Sequence, residues 1–155
     1  MHCTCGDAGV SNISVFQGEL FMHYLEDLPL GAMIDCGSFR LTRAEIIAFA
    51  ERYDPQPFHL DEAAAQASYF QGLCASGLHS QGAAIGLMVR ALQGVAFIAG
   101  WSLHESRFYA AVRPEQEYRV RASWSDISPS PSKPSRSRAS IAGGARDAEG
   151  ALVMT

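Results

Sequence analysis

The sequence predicts an α+β domain in which one curled antiparallel sheet wraps around a long buried helix. Three features predict it. The run "LHSQGAAIGLMVRALQG", residues 78–94, is apolar or small on nearly every side and has Arg90 as its only formal charge. A helix that is hydrophobic all round is a buried helix. After Gly94 the chain changes style, into short alternating stretches separated by turn residues. There Tyr118, Val120, Ala122 and Trp124 alternate with Arg119, Arg121 and Ser123. That is a strand with one face in the core and one in water. Finally, 155 residues that are 48% hydrophobic and 18% charged suit one domain large enough to bury a core.

The elements follow in order. Residues 1–22 read as a flexible tail and 23–155 as the single domain. "LPLG" makes a turn, and the stretch to Leu41 is extended, because its apolar positions do not follow a helical period. Thr42 is placed to cap a helix, with Glu45 three residues on completing a capping box. That helix, "RAEIIAFAERY", sets Ile46, Ile47, Phe49 and Ala50 on one side and stops before Asp54-Pro55, since a residue preceding proline is pushed out of the α region. Asp61 caps a second short helix, "EAAAQASYF". In the long helix, Gly82 and Gly86 lie four apart and are expected to admit a close neighbour, the sheet, because each internal Gly costs roughly 1 kcal/mol of helix propensity. The strands are expected in "VAFIAGWSLHESRFYAAV", "EYRVRASWSDISPS", "SRSRASIAGGARDAEG" and "ALVMT", with "SPSPSKPS" as a long mobile hairpin loop. A mostly antiparallel sheet curled around one buried helix is the hot-dog fold.

Composition excludes several classes. No stretch approaches about 20 uninterrupted apolar residues, so no membrane span is expected. The N-terminus lacks the basic and apolar regions of a signal peptide, which makes the cytoplasm the expected location. A net charge of −4 argues against general nucleic-acid binding. The charge is uneven, however: residues 1–106 carry 4 basic and 11 acidic side chains, residues 107–146 carry 8 and 3. The basic segment is a solvated face or the receiver of a small polyanion. Cys3 and Cys5 form a Cys-x-Cys pair, but no second closely spaced pair completes a zinc site, and free thiols in a frayed tail are expected. Cys74 reads as a small core residue.

The stretch "DPQPFH", residues 54–59, sets an Asp and a His five residues apart with two prolines between them. Alone, Asp54 reads as a turn residue and His59 as a satisfied polar residue. Together with "YLEDLPLG", "FHLDEAAAQASYFQGLCASGLHS" and "RFYAAVRPEQEYRVRASW", the stretch resembles the MaoC-like acyl dehydratases, relatives of (R)-specific enoyl-CoA hydratases. Their hallmark is Asp-x-Asn-Pro-x-His followed by a small-residue turn into the central helix. Here Gln56 stands where Asn is usual, and Ser76-Gly77 where His-Gly is common.

The resemblance implies interconversion of a 2-enoyl-CoA and a 3-hydroxyacyl-CoA, with the (R) configuration implied by the family alone. The residues are consistent with that chemistry. Adding water across an α,β-unsaturated thioester needs a base for the water, an acid for the α-carbon, and donors for the enolate oxygen. Asp54 and His59 can share the first two tasks if a Pro-stiffened loop aims both inward. Gly77 lies where the long helix begins, and its free N–H and the dipole there suit an oxyanion. Gln56, Phe58, Ser76, His79 and Arg136 are the candidate substrate contacts, although His79 by itself reads as structural or pocket-lining. Tyr69, Phe70 and Leu73 are candidates to shape an acyl pocket. Arg113, Lys133, Arg136 and Arg138 are candidates for the phosphates of coenzyme A, which enters as part of the substrate; no metal, nicotinamide or flavin is needed. An acyl-carrier thioester is the alternative substrate form. At least a homodimer is expected, since one unit of this kind exposes a sheet edge. Two rivals remain open: a thioesterase of the same fold, disfavoured because residues 78–93 contain no Asp or Glu, and a non-catalytic acyl-CoA-binding subunit.

Overall fold

The computed structural model of the chain describes residues 22–24, 27–133 and 136–155. The expected tail, Cys3 and Cys5 included, lies outside them except for Met22. The elements run β1 (Ile34–Arg40), α1 (Arg43–Tyr53), α2 (Pro57–Leu60), α3 (Glu62–Gln66), α4 (Gly77–Ala91), β2 (Glu117–Pro129), β3 (Ser137–Arg146) and β4 (Leu152–Met154). The four strands form one antiparallel sheet in the order β1-β2-β3-β4, and α4 lies against β1, β2 and β3.

The core sits between that helix and the sheet. Tyr118, Val120, Ala122 and Trp124 of β2 are all buried, as the alternation predicts, and they meet Ile34, Cys36 and Phe39 of β1 and Ala84 of α4. In β1 the alternation slips after Cys36, because the ladder bulges between Asp35 and Gly37. Gly37 has φ +87°, a conformation that glycine adopts without steric cost, and the extra residue re-phases Phe39 onto the core face. Helix α1 begins as expected: the Thr42 side chain accepts from the Glu45 amide (3.2 Å), while the Glu45 carboxylate accepts from the Thr42 amide (2.7 Å). Its Ile46 and Ala50 are fully enclosed.

Several expectations are corrected. Helix α4 is not buried all round: only Ser80 and Ala84 are enclosed, while Leu78 and Val89 are more than half exposed. A single sheet covers a single face of a helix. Nor do Gly82 and Gly86 make the close approach. A Cβ on Gly82 would meet nothing within 4 Å, and one on Gly86 only the Arg90 side chain. The tight spot is on the sheet, where a Cβ on Gly143 would stand 2.6 Å from the Met88 sulfur of α4. Helix α3 stops at Gln66 rather than reaching Phe70, because the Ser68 hydroxyl takes the Ala65 carbonyl (2.7 Å) and Gln71 turns to φ 52°. Residues 95–112 form no strand of the sheet. Their C-terminal end pairs with the chain terminus (Arg107 N to Thr155 O, 2.8 Å), and an isolated bridge joins Phe108 to Met154.

Candidate active site

Asp54 stands immediately after α1, its amide still bonded to the Ala50 carbonyl (3.0 Å). Pro55 then forces the chain out of the helix, and the Gln56 amide bonds back to the Asp54 carbonyl (2.7 Å) to close a tight turn. The Pro-stiffened stretch expected to be a loop is partly helical from Pro57 on. Pro57 occupies the first position of the one-turn helix α2, where its missing N–H is harmless, and so starts the turn that carries His59 inward. His59 is 5% exposed.

One hydroxyl and one side-chain amide hold the Asp54 carboxylate. Ser76 Oγ donates to Oδ2 (2.6 Å) and Gln56 Nε2 to Oδ1 (2.9 Å). Those bonds, Ser76 first, pull its pKa below the ordinary aspartate value of 3.8, with a smaller contribution from His59 and against the opposing effect of burial. On the other side, His59 Nδ1 lies 2.7 Å from the Cys74 carbonyl oxygen. A carbonyl only accepts, so Nδ1 carries the hydrogen, and in the neutral ring the lone pair sits on Nε2. Nε2 lies 3.5 Å from Asp54 Oδ2, longer than a well-formed N–H···O bond, so the two groups face each other without being committed to each other.

Ser76 also caps α4, accepting from the Leu78 amide (3.2 Å). The Gly77 amide, first in the helix, bonds no acceptor among the described residues. A Cβ at Gly77 would come within 3.0 to 3.2 Å of three atoms of the Phe108 ring, so any side chain here would press on the aromatic wall beside the amide. One short segment, residues 74–77, thus supplies the acceptor for His59, the donor for Asp54 and a free N–H.

The other predicted residues are placed as follows. Gln56 is exposed and bonded to Asp54, whereas Ser76 is 1% exposed with its hydroxyl committed to Asp54 and Leu78, so it orients the carboxylate and touches no solvent. Phe58 packs edge-on to His59 (4.5 Å) and against Phe70 (4.9 Å). Leu73 belongs to the core and Tyr69 is 94% exposed. His79 stacks on Phe49 (4.5 Å, 5°). Its Nδ1 is buried without a hydrogen-bond partner, and burial lowers its pKa against the pull of Glu45. Arg136 lies between β2 and β3 and makes no side-chain bond to the site among the described residues. Arg138 stacks over Trp101 (5.4 Å), and His104, for which the sequence suggests no partner, meets Ser102 Oγ (3.2 Å). Sequence reasoning missed the Cys74 carbonyl and Phe108. A backbone acceptor leaves no residue signature, and an aromatic in an alternating run looks like any strand residue.

This chain belongs to the MaoC-like domain family, whose model matches residues 32–137. The sheet with α4 across it is that family's hot-dog fold. The chain is 36% identical to the MaoC-like dehydratase from Rhodospirillum rubrum, with a TM-score of 0.74 over 85% of this chain and 90% of that one. It is 25% identical to the (R)-hydratase from A. caviae involved in PHA biosynthesis, with a TM-score of 0.64 over 84% and 93% of the two chains. The uncharacterized protein YdeM of Bacillus subtilis (strain 168) is 29% identical over 94 residues, 60% of this chain and 67% of that protein.

Proposed function

We propose that this chain is an acyl-thioester hydratase/dehydratase interconverting 2-enoyl-CoA and (R)-3-hydroxyacyl-CoA. The observation that carries the reading is the uncommitted pair, Asp54 Oδ2 and His59 Nε2, at 3.5 Å beside the free Gly77 amide. Family membership and the likeness to the A. caviae hydratase support it.

Asp54 is ionised, and the Nδ1 proton of His59 is engaged by Cys74. Hydration therefore starts with Nε2 accepting a proton from water while Asp54 orients that water. The hydroxide adds to the β-carbon, and the thioester oxygen gains negative charge facing the Gly77 N–H. The proton on Nε2 then passes to the α-carbon, so one water supplies both new substituents and the histidine returns to its starting form. Losing one oxyanion donor typically costs about 10²–10³ in rate. The thioester itself acidifies the α-carbon, so the scheme requires no metal or redox cofactor.

A homodimer belongs to the same proposal. Ile98, Trp101 and Leu103 are 76%, 85% and 72% exposed, and a second copy of the same surface would cover them.

The test is hydration of crotonyl-CoA, with product identification and Asp54→Asn in parallel. Formation of 3-hydroxybutyryl-CoA, falling by about 10²–10⁴ in the variant, is the expected result. Free thiol as the product would instead identify a thioesterase. A folded protein inactive on short, long and branched enoyl-CoAs would be the binding subunit.

A further inference from the structure

We propose that Arg113 is a positioning residue whose guanidinium clamps the turn that delivers residues 74–77 to the site. The role in catalysis rests on the reading of Asp54, His59 and Gly77 above; the clamp itself does not. Sequence alone made Arg113 a candidate for the phosphates of coenzyme A. In the structure its Nη1 donates to the Gly72 carbonyl (2.6 Å) and the Leu73 carbonyl (3.3 Å), and its Nη2 donates to the Phe70 carbonyl. Three carbonyls from four consecutive residues thus converge on one cation, which fits the fork of a guanidinium and not the single point of an ammonium.

The turn needs such a holder. Gln71 has φ 52° and Gly72 has φ 146°, both outside the ordinary regions, and a Cβ on Gly72 would stand 3.3 Å from the Arg113 Nη1. Glycine there lets the cation reach the backbone. Arg113 is itself anchored: its amide donates to the Tyr118 hydroxyl (2.8 Å), and Tyr118 is 1% exposed in the core face of β2. The adjacent Val112 carbonyl accepts from the Ala75 amide (2.8 Å). A continuous path therefore runs from the sheet through Arg113 and Val112 to the segment that orients His59 by a carbonyl and Asp54 by a hydroxyl. Loosening its start displaces both orienting contacts together, and misplacement of that kind can cost about 10²-fold in rate.

The test uses Arg113→Ala and Arg113→Lys, with crotonyl thioesters of coenzyme A and of pantetheine, which lacks the nucleotide phosphates. The clamp predicts that kcat falls on both thioesters alike while KM holds. Lys should lose less than Ala, and added guanidinium should restore Arg113→Ala. A rise in KM confined to the coenzyme A thioester would overturn it in favour of a phosphate contact. Independently of turnover, the His59 Nδ1 proton, observed by NMR, should shift or vanish in Arg113→Ala and return with guanidinium. An unmoved His59 signal in both variants would overturn the clamp whatever reaction the protein catalyses.

Discussion

The Ser76 hydroxyl joins two jobs, donating to Asp54 and accepting from the Leu78 amide. Its removal should act on both. Because the Ser76 bond is the largest cause of the low Asp54 pKa, Ser76→Ala should raise that pKa and move the acid limb of kcat/KM to higher pH, as a pH–rate profile would show. A depressed carboxylate stabilises the fold above its unfolded pKa and loses that contribution as pH falls through the folded value. Ser76→Ala should therefore be less stable at neutral pH, by about 0.5–2 kcal/mol for the lost cap alone, with a shallower decline on acidification in urea titrations. At this scale the sequence was informative where side chains act. Asp54 and His59 stand out through the resemblance of their stretch to the MaoC-like pattern, since each alone reads as an ordinary polar residue. Cys74 did not, since it acts through its backbone.

Among the elements, β3 and α4 meet most closely at Gly143, against Met88. Gly143→Val should destabilise by about 1–3 kcal/mol, the usual range for overpacking, and Met88→Ala in the same chain should recover part of the loss; thermal unfolding of the four proteins measures it. The capping box of α1 and the buried face of β2 were legible because both are set by neighbours along the chain. The contact at Gly143 was not. Spacing along α4 shows that glycines lie on one face, but which glycine touches another element depends on how helix and sheet slide past each other. The alternation of Trp101 and Leu103 likewise expresses only a preference for strand. A strand exists where a second edge bonds to it, and among the described residues this segment finds one only near its two ends, at Val95 beside His23 and at Arg107 and Tyr109 beside the chain terminus.

At the scale of the whole molecule, the apolar surface of Phe97, Ile98, Trp101 and Leu103 is exposed among the described residues. If a second copy covers it, Trp101→Asp should convert a dimer into a monomer in sedimentation equilibrium while α1 and the core of β2 keep their far-UV signature. A wild-type protein that sediments as a monomer would remove the homodimer from the proposal.

The sequence by itself determined the class of fold, the ends of α1 and the buried face of β2. All of these follow from local stereochemistry and side-chain periodicity. Only the tertiary structure decided that α4 is covered on one face, that His59 has its proton on Nδ1, that Phe108 walls the Gly77 amide, and that Arg113 holds backbone carbonyls. Each of these depends on which groups far apart in the chain become neighbours. Arg113 and Phe70 lie 43 residues apart, and nothing in the local chemistry of either one specifies that they meet.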